Sequence, residues 1–325
     1  MKRILVVLVA TLALSVGGLY LVGGGAVFDV ATYRTAHPDP WILTLVAVLV
    51  PAHWTFPAVR LASLARLHGT RMSLGMAIWV HLAYTLGSLV TPGGSGGGPA
   101  LAVALRYLGM PWGRGIAVAT QVFVLDLLFF AWAAPLSLLA LWAMPSLRVP
   151  PALAVGVGAS VAVVLTVAVL VAGYPRVAVR SILWLGGRGW FRRWRGRRRG
   201  VARDFYRAAR NFAALPTRAK LGLQVLQAGA WGSSFVLFWA LLALYQRVDL
   251  PTVLATLTLA SLLSIVMPTP GASGFMEVAV GLGTRGLVGR DVLAAPVLLW
   301  RMASFYVAFG LGPIAGLVLL RRAPR

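Results

Sequence analysis

An all-α polytopic membrane protein is the fold class this sequence predicts, and three observations carry that prediction. Of the 325 residues, 59% are hydrophobic and only 11% charged, well outside the range of soluble domains. The mean hydropathy is +0.85. Six apolar runs are long enough to cross a bilayer, and two others are each interrupted by Thr-Pro-Gly-x-Ser-Gly, at Thr91 to Gly96 and Thr269 to Gly274. The expected architecture is therefore about six full transmembrane helices plus two re-entrant helical hairpins in an inverted-topology repeat. It forms a single membrane domain over 1–325.

The first span, Ile4 to Val22, follows Met1-Lys2-Arg3. Its apolar run is too long for a signal-peptide core and no small-x-small cleavage site follows, so an uncleaved helix is expected. A second span runs from Trp41 to Val59. The first interrupted segment, 74–108, comes next. Proline removes a backbone donor and glycine permits dihedrals that other residues avoid, so the helix must break at Pro92-Gly93. After this turn only Pro99 to Leu108 remains apolar, roughly 15 Å of helix against a hydrocarbon core of about 30 Å. A hairpin that returns to its own side fits that length. Spans at Gly115 to Ala143 and Ala152 to Ala172, a basic loop at 173–218, a span at Ala219 to Tyr245, a second hairpin at 253–283 and a last span at Val292 to Leu320 complete the chain. The repeats then cover about 41–143 and 219–320.

Charge fixes the orientation. The net charge is +23, and fourteen Lys and Arg lie between Arg176 and Lys220. The positive-inside rule places that loop, and with it both termini, in the cytoplasm. If the first hairpin crossed once, the basic loop would move outside. The first hairpin, flanked by Arg60, Arg66, Arg71, Arg106 and Arg114, is thus expected to enter from the cytoplasm. The second, flanked by Arg247, Asp249, Arg285, Arg290 and Asp291, is expected to enter from outside. Retention of loops explains the basic charge, and nucleic acid is not an expected partner. Within the loop, Trp190 to Arg195 and Arg197 to Arg199 suit a headgroup layer. Val201, Phe205, Phe212 and Leu215 against Arg203, Arg207 and Arg210 predict an amphipathic interfacial helix, serving lipid recruitment or topology alone. The chain has no cysteine and four scattered histidines, so no metal or other cofactor is expected.

Few ionisable residues interrupt the apolar segments: His53, His81, Asp126, Glu277 and Arg301. Each costs about 3 kcal/mol near the bilayer centre and needs a partner or a water-filled cavity. Glu277 opens the second half-helix of its hairpin, where free N–H groups favour a carboxylate. It reads either as a cap or as a cavity-facing group that binds a cationic headgroup or carries a proton. Arg301 suits bidentate binding of phosphate. Asp126 holds nearly the equivalent place after the first hairpin, and two readings stand together: an Asp126–Arg301 ion pair linking the repeats, and substrate contact by Arg301. The first turn, Pro92, Gly93, Gly94, Ser95, Gly96 and Gly97, has no carboxylate, and its successive amides could form an anion nest or simply allow close packing. The second turn is Pro270, Gly271, Ser273 and Gly274. The first turn lacks the Lys-Ser/Thr ending and the preceding strand of a nucleotide loop. His81 stands either on a proton path or internally satisfied.

Pro268 to Gly274 with Glu277, then Leu299-Trp300-Arg301 and Tyr306, resembles the second conserved region of the bacterial lysylphosphatidylglycerol synthase transmembrane family, the membrane part of multiple peptide resistance factor. Thr91 to Pro99, Gly109 and Asp126 are similar to its first region. The resemblance implies a lipid flippase of the bacterial cytoplasmic membrane, with Glu277 and Arg301 as the residues carried over and Tyr306 beside them. Its implied partners are anionic or aminoacyl phospholipids or polyprenyl-phosphate lipids, with a homo-oligomer or a separate synthase as protein partner. Many members carry an acid soon after the first turn and an arginine shortly before the aspartate matching Asp126, and here Pro99 and Phe123 stand nearby instead, which weighs against lysyl-lipid specificity. The chain ends soon after Leu320, so the soluble aminoacyl-transferase domain is expected to be absent and the protein is not expected to be an enzyme. The alternative function is a non-transporting accessory of an envelope glycosyltransferase or lipid-modifying enzyme.

Overall fold

The computed structural model describes residues 2–34, 36–37, 39–143, 155–156, 158–163, 166, 198–265, 267–284 and 287–322. Twelve α-helices are named among the described residues. They are α1 (Lys2–Gly23), α2 (Val30–Arg34), α3 (Pro40–Leu67), α4 (Leu74–Leu89), α5 (Gly97–Tyr107), α6 (Trp112–Trp142), α7 (Arg198–Ala213), α8 (Thr217–Ala243), α9 (Leu250–Ser264), α10 (Phe275–Thr284), α11 (Arg290–Arg301) and α12 (Val307–Leu320). Among the described residues, five segments are long and apolar enough to cross a membrane: Val6–Val27, Pro40–Leu67, Trp112–Trp142, Thr217–Ala243 and Val292–Leu320. The last runs through α11 and α12, which a π-helical turn at Met302–Tyr306 joins. Apart from short helical stretches at 155–156, 158–163 and 166, the expected span Ala152 to Ala172 lies outside the described residues, as does Trp190 to Arg197.

Helix starts follow from local chemistry. Asp39 accepts from the Trp41 amide at 2.8 Å with Pro40 in the first turn of α3, and Asp249 accepts from the Thr252 amide at 2.9 Å ahead of α9. Ser73 does the same for α4 through Met76. Each such cap satisfies an amide that the helix itself leaves free. The second span is longer than expected. Hydropathy ends it at Val59, but α3 continues to Leu67, and Arg60 is only 4% exposed. Arg60 is therefore a buried residue of the span, not a loop arginine, because its partner lies on a neighbouring helix.

Both interrupted segments form helix–break–helix units. The first consists of α4 and α5, with 16 and 11 residues, and the second of α9 and α10, with 15 and 10. Even the longest arm is about 24 Å at 1.5 Å per residue, short of a hydrocarbon core of about 30 Å. The two units are interleaved with the long helices. α4 packs on its own α5 and on α12, and α9 packs on α6 and α8. α3 packs along α8. The breaks then meet: Pro92 and Pro270 form an isolated antiparallel bridge, and the Gly271 amide donates to the Thr91 carbonyl at 3.4 Å.

The amphipathic segment after the basic loop is helical, as α7, but its apolar face is taken by protein. Phe205 and Ala208 are buried against Ala117 and Ile116 of α6, and Phe212 and Leu215 pack on the cluster that includes Val118 and Val122. The contact depends on Gly113, where an added Cβ would collide with the Val201 carbonyl and lie 2.7 Å from the Asp204 Cβ. Gly113→Leu is expected to lift α7 from α6 and to speed tryptic cleavage at Arg203, Arg207 and Arg210 by about tenfold. An unchanged digestion rate would mean that α7 is held from elsewhere.

Candidate functional site

Between the two helix–break–helix units lies a mainly apolar cavity of about 1110 Å³. Gly93, Gly94 and Ser95 of the first turn and Gly271 and Ala272 of the second border it, as do Asp126 and Arg301. Thus one space touches both breaks and one charged residue from each half of the chain. A smaller space of about 250 Å³ is bounded by His68, Arg114, Asp204 and Arg207. There burial lowers the His68 pKa from its ordinary value and the Arg114 charge adds to this, while the Gln121 hydrogen bond acts in the opposite direction.

Glu277 and Arg301 meet. Arg301 donates from Nε to Glu277 Oε1 at 2.8 Å, and its Nη2 stands 2.7 Å from the same oxygen. Ser15 of α1 donates its hydroxyl to that oxygen as well, and Ser15 Oγ is 2.8 Å from the Tyr306 hydroxyl. The other oxygen, Oε2, accepts the Gly274 amide at 2.9 Å, the reach-back of a helix-capping acid at the third position. Arg301 also lies over the Phe305 ring, 4.2 Å from its centroid, an attraction of cation to ring face. Gly18 lets α1 approach this site, since a Cβ there would sit 2.8 Å from Gly274 Cα.

Three sequence expectations need correction. Of the two readings of Glu277 the cap holds and the cavity-facing one does not: it is fully buried and off the cavity wall, because its capping bond turns the carboxylate back toward Gly274. Asp126 does not pair with Arg301. Its Oδ1 accepts from Gln227 Nε2 at 2.5 Å and from Trp231 Nε1 at 3.0 Å, and Arg60 Nη1 is 3.7 Å away. Each half thus carries its own pair, Arg60 with Asp126 and Arg301 with Glu277, since each acid finds a guanidinium on a nearer helix. The first turn is no open anion nest. The amides of Gly94 and Ser95 donate to the Thr91 and Pro92 carbonyls, that of Gly96 to the Thr91 hydroxyl at 2.7 Å, and that of Gly97 to the Gly94 carbonyl. The turn thus uses four of its successive amides within itself, which removes the donors a nest would need.

His81 lies among aromatic rings and not on the cavity wall: its ring is 5.8 Å from Tyr84 and 5.9 Å from Trp54. Tyr306 sits with Ser15 and Glu277. Four polar contributors escaped the sequence reading: Arg60, Ser15, Gln227 and Trp231. Arg60 was hidden by the hydropathy boundary, and an isolated serine or glutamine in an apolar helix carries no signal of its partner. Arg60 reaches Asp126 from α3. Its Nε and Nη1 have no hydrogen-bond partner among the described residues, so Asp126 is its main compensation. Asp126→Ala is expected to cost about 2 kcal/mol, moderated by the partial exposure of the pair, and to be read as a lower thermal midpoint in detergent. An unshifted midpoint would show that Arg60 is neutralised by another group.

Known proteins resemble this chain along most of its length. Residues 4–312 match the family described as Lysylphosphatidylglycerol synthase TM region. A UPF0104 membrane protein of Archaeoglobus fulgidus is 23% identical, over 85% of this chain and 86% of that protein.

Proposed function

The chain belongs to the lysylphosphatidylglycerol synthase transmembrane family, and from that premise we propose that it carries the phosphate-bearing headgroup of a lipid across the cytoplasmic membrane. The lipid would be an anionic or aminoacyl phospholipid or a polyprenyl-phosphate lipid, its acyl or prenyl chains remaining in the bilayer. The observation that supports this reading best is the cavity of about 1110 Å³ bordered by both breaks, a size suited to a headgroup. In this reading the two units are re-entrant hairpins entering from opposite faces, an inverted repeat with both termini in the cytoplasm, the plan used for alternating access. Their tips touch at Pro92 and Pro270, and the headgroup passes when the tips part. Arg301, on the cavity wall, takes the phosphate, and Glu277 behind it holds the guanidinium in place. The protein acts as a transporter, not as an enzyme.

Reconstitution in liposomes with a fluorescent phosphate-bearing lipid tests the proposal. The intact protein should raise the rate at which label crosses between leaflets, and Arg301→Lys should lower that rate about tenfold by removing the planar fork that matches phosphate. Liposomes with protein that flip no faster than empty ones would contradict it.

A further inference from the structure

We propose that the cavity selects a polyhydroxylated headgroup, a sugar or polyol attached to the phosphate, over an ammonium-bearing one; this rests on the phosphate-lipid reading above. Four of the hydroxyl protons on the cavity wall are already committed. Ser88 donates to the Tyr84 carbonyl at 3.3 Å, Thr120 to Ile116 at 3.0 Å, Ser264 to Ser261 at 2.7 Å and Ser304 to Trp300 at 2.8 Å. All four residues border the cavity and are half-buried. Back-bonding of this kind occupies the one proton of a hydroxyl and leaves its lone pairs outward. The wall therefore offers acceptors from four separate elements, α4, α6, α9 and the π-helical turn. Asp126 adds a carboxylate that borders the same space.

Acceptors at dispersed positions call for donors at dispersed positions. An ammonium concentrates three donors on one nitrogen, so it can satisfy one region of this wall and must leave the others facing it without a partner. A ring of hydroxyls can reach several regions at once, and a site built to bond hydroxyls rejects analogues that lack them. Charge points the same way. Asp126 is already compensated by Arg60 and by two neutral donors, so the lobe gains little from a second cation but still accepts from neutral O–H groups. The half-buried Trp231 borders the cavity as well and offers apolar ring surface to the C–H faces of a sugar.

Calorimetric binding of three short probes to the full chain in phosphatidylcholine nanodiscs tests this inference: octyl phosphate, octyl phosphoethanolamine and an octyl phosphodiester of a hexose. The hexose probe should bind at least about tenfold more tightly than the other two. Ser264→Ala and Ser304→Ala should each shrink that preference about fivefold, the loss expected for one hydrogen bond. Equal binding of the hexose probe and octyl phosphate, or tighter binding of the phosphoethanolamine probe, would overturn polyol selection while leaving a phosphate-lipid carrier intact. Failure of all three probes to bind would overturn the phosphate reading itself. The comparison on the unsubstituted chain stands even if a variant does not fold.

Discussion

Glu277→Gln is expected to destabilise the fold by about 3–5 kcal/mol, the usual result of removing one partner from a buried ion pair. Glu277 is fully buried and Arg301 is 5% exposed, so the guanidinium has little access to water to compensate it when its carboxylate is lost. The same substitution weakens the acceptor of Ser15 and the cap on Gly274, two bonds that tie α1 and the second break together. The change would appear as a large fall in thermal midpoint in detergent. Removing both charges, as Glu277→Gln with Arg301→Gln, should recover at least half of the loss, since neither partner is then stranded. If the single variant melts like the parent, the pair is not what holds α1, α10 and α11 together.

Gly271→Val should be nearly as damaging, for a different reason. Gly271 has φ +58, a region that a β-branched residue enters only under strain. Its added Cβ would also lie 3.0 Å from Leu89 Cα, against the backbone of the opposing unit. Strain and overpacking together are expected to cost about 2–4 kcal/mol. Gly24 separates the two effects. It has φ +59, and an added Cβ there would meet nothing within 4 Å, so Gly24→Val should cost only the backbone part, about 1–2 kcal/mol. Equal losses at the two sites, read as thermal midpoints, would mean that the contact between the breaks contributes nothing.

The fold was legible where single residues dictate backbone. Proline and glycine in apolar sequence located both breaks, and the lengths of the apolar runs located the five long helices among the described residues. The site was legible only in part. Glu277 and Arg301 stood out because ionised groups are costly in apolar surroundings, but their pairing did not, since a helix position does not reveal which neighbour it meets. Asp126 was assigned to Arg301 by symmetry of position, yet α3 brings Arg60 to it first. Arg60 itself looked like a loop residue because hydropathy reports the environment a side chain prefers, and a buried guanidinium violates that preference. The glycines of the first turn suggested free amides, whereas the turn closes on Thr91 and consumes them. The Thr91 hydroxyl, which bonds both the Gly87 carbonyl and the Gly96 amide, gave no sign of this in sequence.

In the proposed transport cycle the two breaks, in contact at Pro92 and Pro270, must part for a headgroup to pass. The chain has no cysteine, and bridged strand residues of this kind lie about 4.5–5.5 Å apart at Cα, within the range a disulfide spans. Lipid flipping by Pro92→Cys/Pro270→Cys in liposomes, measured oxidised and then after reduction, tests this requirement directly. Oxidation should stop flipping and reduction should restore it. An oxidised, cross-linked protein that flips as fast as its reduced form would contradict passage between the breaks.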